Sequence, residues 1–362
     1  MSTPALKEIF DLPRIEHVAR ELTHVDPRVD QKQFIDLCAA HLSELSLMQR
    51  LRQMTASLYA VLPKEYDAAI PTLKALAPRI NSKFVTLVLP DYVGQYGLQT
   101  FERAMDDLRF FTGFGTSEYG IRPFLREDSA RALKIMTGWV TDPDEHVRRL
   151  ASEGCRPRLP WSFHLADLQT DPEPVRPILD ALKQDDSLYV RKSVANHLND
   201  ITKSHPEWVM SMLEIWPLED PRCAWIVRHA LRTLIKKGDV RALNIIGVGP
   251  NPAVTVSRFD VSANRLTLGE KLGINVTLTS TAPHPQKLEV DYVLHYVKQQ
   301  GKVAEKVFKF KSLTLLPGES VKLARTQIIK DFSTRKHHAG RHDLELMING
   351  ARVARACFDL VT

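Results

Sequence analysis

The chain has 362 residues, 44% of them hydrophobic and 25% charged. That excludes a mostly disordered protein, a collagen and a disulfide-rich miniprotein, and leaves apolar material for a large core in two or three domains. The net charge of +6 is uneven: residues 251–362 hold 17 Lys and Arg against 10 Asp and Glu, while the first 250 residues hold 32 against 33. A basic module on a near-neutral body suggests a polyanionic partner, nucleic acid first. A solvated basic surface with no specific partner is the plain alternative.

From the N-terminus, residues 1–11 carry Lys7, Glu8 and Asp11 where an export signal needs an apolar stretch. The apolar run 84–89 stops at Pro90 and Asp91, far short of the roughly 18–20 residues of a membrane span. Cys38, Cys155, Cys223 and Cys357 are widely separated and form no CxxC pair. Neither a metal motif nor a disulfide framework is expected, and a reducing cytosol is.

Up to about residue 249 apolar residues recur at helical spacing, as in Ile178, Leu179, Leu182 and again in Val194, Leu198, Ile201. Asp26-Pro27, Asp142-Pro143, Asp171-Pro172 and Asp220-Pro221 read as helix starts, with Asp capping and Pro in the first turn. Three helices resemble one another around Val147-Arg148, Val190-Arg191 and Val227-Arg228, each after an acidic turn, with the arginines 43 and 37 residues apart. HEAT-type helical hairpins repeat at about 40–47 residues, and stacked hairpins bury faces that one hairpin cannot. Copies before residue 130 cannot be placed.

Past residue 250 the period becomes two: Leu272, Ile274, Val276, Leu278; then Leu288, Val290, Tyr292, Leu294, Tyr296; then Leu344, Leu346, Ile348. Asn349-Gly350 is a hairpin signal, because both turn residues must accept positive φ. The expected architecture is an all-α repeat solenoid over 1–248 followed by an immunoglobulin-like β-sandwich over 251–362, without the antibody-type Cys and Trp markers.

No GxSxG, Walker or HExxH motif is present, and Gly113-Phe114-Gly115 lacks a phosphate-binding pattern. Three polar places remain. Glu118 follows Thr116 and Ser117, either of which would cap a helix. Glu153 lies six residues after Val147, a place held by Asn196 and Thr233 in the next two repeats, so it is expected to face a groove or solvent. Asp200 lies one turn beyond Asn196. Side-by-side helices would let Glu118, Glu153 and Asp200 converge, with Trp161 alongside and Arg148, Arg149, Arg156, Arg158 and Arg191 around them. Helix caps and surface ion pairs worth about 0–1 kcal/mol would explain the same residues without any chemistry.

The runs 116–124, 148–161 and 193–201 resemble the HEAT-like-repeat DNA glycosylases that excise alkylated bases, the AlkC branch more than AlkD. The resemblance covers about residues 1–248, and some AlkC-type proteins also carry a C-terminal immunoglobulin-like domain. It implies base-excision repair in a bacterial cytoplasm by a monomer acting on double-stranded DNA, without membrane, metal or cofactor. The implied substrate is a cationic lesion, chiefly 3-methyladenine, with 3-methylcytosine as a second. Asp200 and Glu153 would stabilise an oxocarbenium-like sugar and handle the water, with Glu118 assisting. Trp161 would pack on lesion or sugar, and Arg148, Arg149, Arg158 and Arg191 would hold phosphates. In the basic module, residues 298–311 or Arg335-Lys336-His337-His338 would touch the DNA backbone. The alternative is a non-catalytic HEAT-repeat scaffold that binds DNA or a protein.

Overall fold

The computed structural model describes residues 6–332 and 336–361. Among these, sixteen α-helices precede eight strands. The helices are α1 (Leu12–Val25), α2 (Gln31–Ala39), α3 (Leu47–Val61), α4 (Tyr66–Leu76), α5 (Val88–Tyr96), α6 (Phe101–Phe111), α7 (Arg122–Glu127) and α8 (Ser129–Gly138). Then come α9 (Glu145–Glu153), α10 (Ala166–Thr170), α11 (Arg176–Ala181), α12 (Leu188–Ile201), α13 (Pro206–Glu214), α14 (Pro221–Ala230), α15 (Arg232–Lys237) and α16 (Val240–Ile245). No helix among the described residues is long and apolar enough to cross a membrane.

Two compact units share the chain, residues 1–206 with 217–229 and residues 207–216 with 230–362. In the first, sequence-adjacent helices pack as hairpins, α1 with α2, α2 with α3 and α7 with α8, while α9 packs on α12 across one repeat. The stripes Ile178, Leu179, Leu182 and Val194, Leu198, Ile201 are all buried. Each such side chain contributes about 1.5–3 kcal/mol on leaving water.

The Asp-Pro starts need correction. Only Asp220-Pro221 behaves as read: Asp220 accepts from the backbone N–H groups of Arg222 and Cys223, and Pro221 opens α14. Asp26 and Asp171 close the preceding helices α1 and α10 instead. At the third, the cap of α9 is Asp144, which accepts from His146 N–H at 2.8 Å. Proline disfavours a helical conformation in the residue before it, so an Asp there ends one helix as readily as it starts another.

The acidic turns also carry the repeat register. Arg148 donates to the Asp142 and Pro143 carbonyls of its own turn and reaches Asp185 of the next turn at 2.7 and 3.1 Å. Arg191 donates in the same way to the Asp185 and Asp186 carbonyls. One repeat earlier, Arg109 of α6 pairs with Asp142, its Nε at 2.7 Å. That pairing places a copy before residue 130 that periodicity alone does not reveal.

The second unit holds α13, α15, α16 and the strands β1 (Val254–Val261), β2 (Arg265–Thr267), β3 (Lys271–Ser280), β4 (Gln286–Val297), β5 (Val303–Leu315), β6 (Ser320–Ile328), β7 (Gly340–Ile348) and β8 (Ala351–Val361). They form two sheets, ordered β1-β3-β6 and β2-β8-β7-β4-β5. All pairs are antiparallel except β2 with β8. The alternating residues of β3, β4 and β7 fill the core between the sheets, as the period of two predicts. Asn349 (φ 50°) and Gly350 (φ 83°) make the β7–β8 turn. A Cβ on Gly350 would lie 2.3 Å from the Gly238 Cα, so the end of α15 rests on this hairpin backbone to backbone. Helix thus gives way to strand between Ile245 and Val254, while the last short helices pack with the strands.

Candidate active site

Helix α9 buries Val147, Leu150 and Ala151. The helical period then sends Arg149 and Glu153, four residues apart, to another shared face. Helix α12 lies against it and presents Ser193 and, two turns on, Asp200. The third carboxylate comes from the connection between α6 and α7. There the Ser117 hydroxyl donates to the Leu108 carbonyl at 2.7 Å, and Thr116 Oγ1 accepts from Glu118 N–H at 3.2 Å. Neither residue caps a helix, since α7 begins only at Arg122; the expected cap is instead a local turn. The turn is seated closely: a Cβ on Gly120 would fall 2.1 Å from the Pro90 carbonyl oxygen.

The three carboxylates come together in a row with two guanidiniums between them. Arg149 reaches Glu118 Oε2 at 2.5 Å and Glu153 Oε1 at 3.3 Å. Arg156 reaches Glu153 Oε1 at 2.6 Å and Asp200 Oδ2 at 2.8 Å. Ser193 donates to Glu153 Oε2 at 2.6 Å, and Lys203 holds Asp200 Oδ1 at 2.9 Å from the rim. Glu118, Glu153 and Asp200 are only 8%, 5% and 4% exposed. Glu153 is therefore buried, which excludes solvent and leaves the groove of the two places its repeat position suggested; the two arginines and Ser193 satisfy its oxygens. Burial works against the charges on Arg149 and Arg156, but the adjacent carboxylates outweigh it and raise both pKa values.

Further residues bound the row. The Arg149 guanidinium lies 4.9 Å from the centre of the Tyr189 ring, which His146 meets edge-on. Tyr119 follows Glu118 in the chain, and its phenol pKa is raised by burial and by that carboxylate. His197, on α12, is fully buried; burial, helped by the charge on Arg156, brings its pKa down to about 3, so the ring is neutral.

The predicted arginines are placed differently from the acids. Arg149 lies inside the row, and Arg148 and Arg191 are committed to the acidic turns. Arg158 donates to Ser204 at 2.9 Å. Trp161 lies in the connection between α9 and α10. It is 59% exposed, its backbone is left-handed (φ 65°), and its ring meets Phe84 edge-on. Its loop is pinned by the buried Arg122, which donates to the carbonyls of Gly154 (3.0 Å), Arg156 (2.9 Å) and Phe163 (3.1 Å). Burial lowers the Arg122 pKa to about 10, which leaves it charged at neutral pH.

Sequence reasoning missed Tyr189, Tyr119, Ser193 and Arg122. Ser193 alone had a usable signal, because it lies seven residues before Asp200 and so on the same helical face. In the basic module, Lys298, Lys302, Lys306 and Lys311 are exposed, while Lys309 is held by Glu289. His337, expected at a phosphate, is buried, and Arg335 lies outside the described residues.

A family model described as "DNA alkylation repair enzyme" matches residues 95–234, and one for the "Uncharacterised protein YhaZ, C-terminal Ig-like domain" matches residues 255–362. The chain is 40% identical over 95% of its length to the YhaZ protein of Bacillus subtilis (strain 168), covering 96% of that relative. It is also similar to the structure of Pseudomonas fluorescens alkylpurine DNA glycosylase AlkC bound to DNA containing an abasic site analog. That likeness has 53% identity, a TM-score of 0.95, and covers 99% of this chain and all of the other. A helical-repeat unit carrying a buried acid–arginine row, joined to an immunoglobulin-like sandwich, is thus matched along its full length, and the chain belongs to the AlkC family of alkylpurine DNA glycosylases.

Proposed function

We propose that this glycosylase hydrolyses the N-glycosidic bond of cationic alkylated bases in double-stranded DNA, 3-methyladenine first and 3-methylcytosine second, as a monomer in the bacterial cytoplasm. The observation that carries the reading is the alternating row Glu118–Arg149–Glu153–Arg156–Asp200. Three carboxylates are gathered in one place, with Lys203 meeting Asp200 from the rim beside the two buried guanidiniums, and carboxylates carry the sign that a developing sugar cation needs.

The chemistry asks for little else. Methylation puts positive charge on the base, so the C1′–N bond breaks with its electron pair flowing into the ring, and no acid has to protonate the leaving group. The sugar becomes oxocarbenium-like, and the carboxylates stabilise it more than they stabilise the ground state. Water adds its oxygen to C1′ and gives its proton to a carboxylate, leaving an abasic sugar. Glu153 and Asp200 are assigned to the sugar and the water, Glu118 to support from the adjoining turn, and Trp161 to packing against lesion or sugar. Arg149 and Arg156 orient the acids. Phosphate contacts then fall to Arg158 at the rim and to the exposed lysines of the basic module.

The test is base release from duplexes that each contain one defined adduct. The wild type is expected to release 3-methyladenine fastest, and Glu153→Gln and Asp200→Asn to lose release by about 10²–10³-fold. Equal release by all three proteins would remove the mechanism, and no release by the wild type would leave the scaffold alternative.

A further inference from the structure

Tyr119, next in the chain to Glu118, also forms a wall of a cavity of about 500 Å³. Its aromatic lining is Tyr119, Trp161 and Phe163, its amides are Gln49 and Gln95, and Asp91 lies beneath. The size is that of small-molecule sites. Asp91 is 4% exposed; Oδ1 is 3.1 Å from Arg52, and Oδ2 has no hydrogen-bond partner among the described residues.

The lining says what would fit. Exposed rings offer faces on which a planar base stacks whatever its sequence. Trp161 holds a left-handed backbone in a loop fixed by Arg122, so an exposed apolar ring is kept facing outward at a conformational cost. The amides match the donor and acceptor edges of a nucleobase. Of the two guanidiniums at this place, Arg52 pairs with Asp91, and Arg126 lies 4.6 Å from the centre of the Phe163 ring. The rings and amides together favour a planar ligand with hydrogen-bonding edges.

We propose that this cavity receives the excised base, a neutral methylated purine, after it leaves the sugar at the neighbouring carboxylates. The proposal rests on the glycosylase reading. Excision supplies the required ligand, because the electron pair of the broken C1′–N bond neutralises the cationic ring. Base held there is removed from the abasic sugar, and free base added from solution inhibits turnover.

The experiment follows abasic-site formation by the full-length protein on a duplex with a single 3-methyladenine, in the presence of free 3-methyladenine or of 2-deoxyribose 5-phosphate. Each rate is taken relative to the same protein without additive, and calorimetry measures binding of the free base directly. Free base is expected to inhibit the wild type, and Gln95→Leu, a change at an exposed rim position, to need about three- to tenfold more of it. The sugar phosphate is expected to leave the rate unchanged. The proposal is overturned if free base neither inhibits nor binds, if Gln95→Leu responds like the wild type, or if the sugar phosphate inhibits equally. A wild type that forms no abasic sites sinks the glycosylase reading instead, and the calorimetric comparison then still decides the cavity.

Discussion

Arg156 lies between two buried carboxylates, Glu153 and Asp200. Removing a cation from such a place leaves charge uncompensated away from water, which costs about 3–5 kcal/mol. Arg156→Leu is therefore expected to lower the denaturant midpoint by an amount of that order; a loss under about 1 kcal/mol would mean that water already compensates the acids. His197 gives a second prediction at this scale. Its pKa is about 3 in the folded chain, against about 6.5 unfolded, so between these values the unfolded state binds the extra proton. The stability contributed by the neutral ring is complete above about pH 6.5 and falls as pH drops toward 3, by up to about 1.4 kcal/mol per unit. Unfolding titrations should show His197→Leu with a flatter loss across that window. A slope equal to wild type would assign the acid sensitivity to other groups. The acids of the row were legible through the family resemblance, but their partners were not. A sequence shows that Arg148 and Arg149 are neighbours and does not show that one faces a turn while the next faces Glu118. Tyr189 at the start of α12 reads as ordinary surface until Arg149 is found against its ring.

At the scale of elements, the acidic turns act as clasps between successive repeats. Arg109–Asp142 and Arg148–Asp185 each join a helix to the next acidic turn, across 33 and 37 residues of chain. Arg148 is mostly buried and two-pronged, so its pairing is stronger than that of an exposed pair. A double-mutant cycle on Arg148→Ala and Asp185→Ala should give a coupling of about 1–3 kcal/mol in urea unfolding. Additive losses would mean that each residue acts only on its own turn. The Val-Arg spacing already marked these helices as repeats, yet which Asp caps and which Asp clasps was hidden. Both tasks use the same residue type, and the choice depends on where the neighbouring turn lies. The hairpin at Asn349-Gly350 was readable because positive φ at two adjacent residues has a narrow chemistry.

The whole molecule shows the charge asymmetry again. In the helical unit Arg148, Arg149, Arg156 and Arg191 are used internally, in the row and at the acidic turns, whereas Lys298, Lys302 and Lys311 of the sandwich are exposed. If these three meet phosphates, replacing them with alanine should lower DNA affinity and reduce the slope of log K against log salt by about 0.9 for each phosphate no longer neutralised. An unchanged slope would make the basic excess incidental. The change from helical to alternating period near residue 250 predicted two kinds of domain, and both are present. The packing of the last short helices with the strands was not readable, because α15 and α16 carry the same helical periodicity as the repeats before them.

The claim on which the account depends is that the buried row acts on the sugar during bond breakage and does not merely hold helices together. Single-turnover release of 3-methyladenine tests it most directly, with duplex affinity and unfolding midpoint measured on the same preparations of wild type, Asp200→Asn and Glu153→Gln. The account predicts that the rate falls by about two to three orders of magnitude while affinity for the duplex stays within a few-fold. A rate that falls only in step with affinity or stability would contradict it and return these acids to a purely structural role.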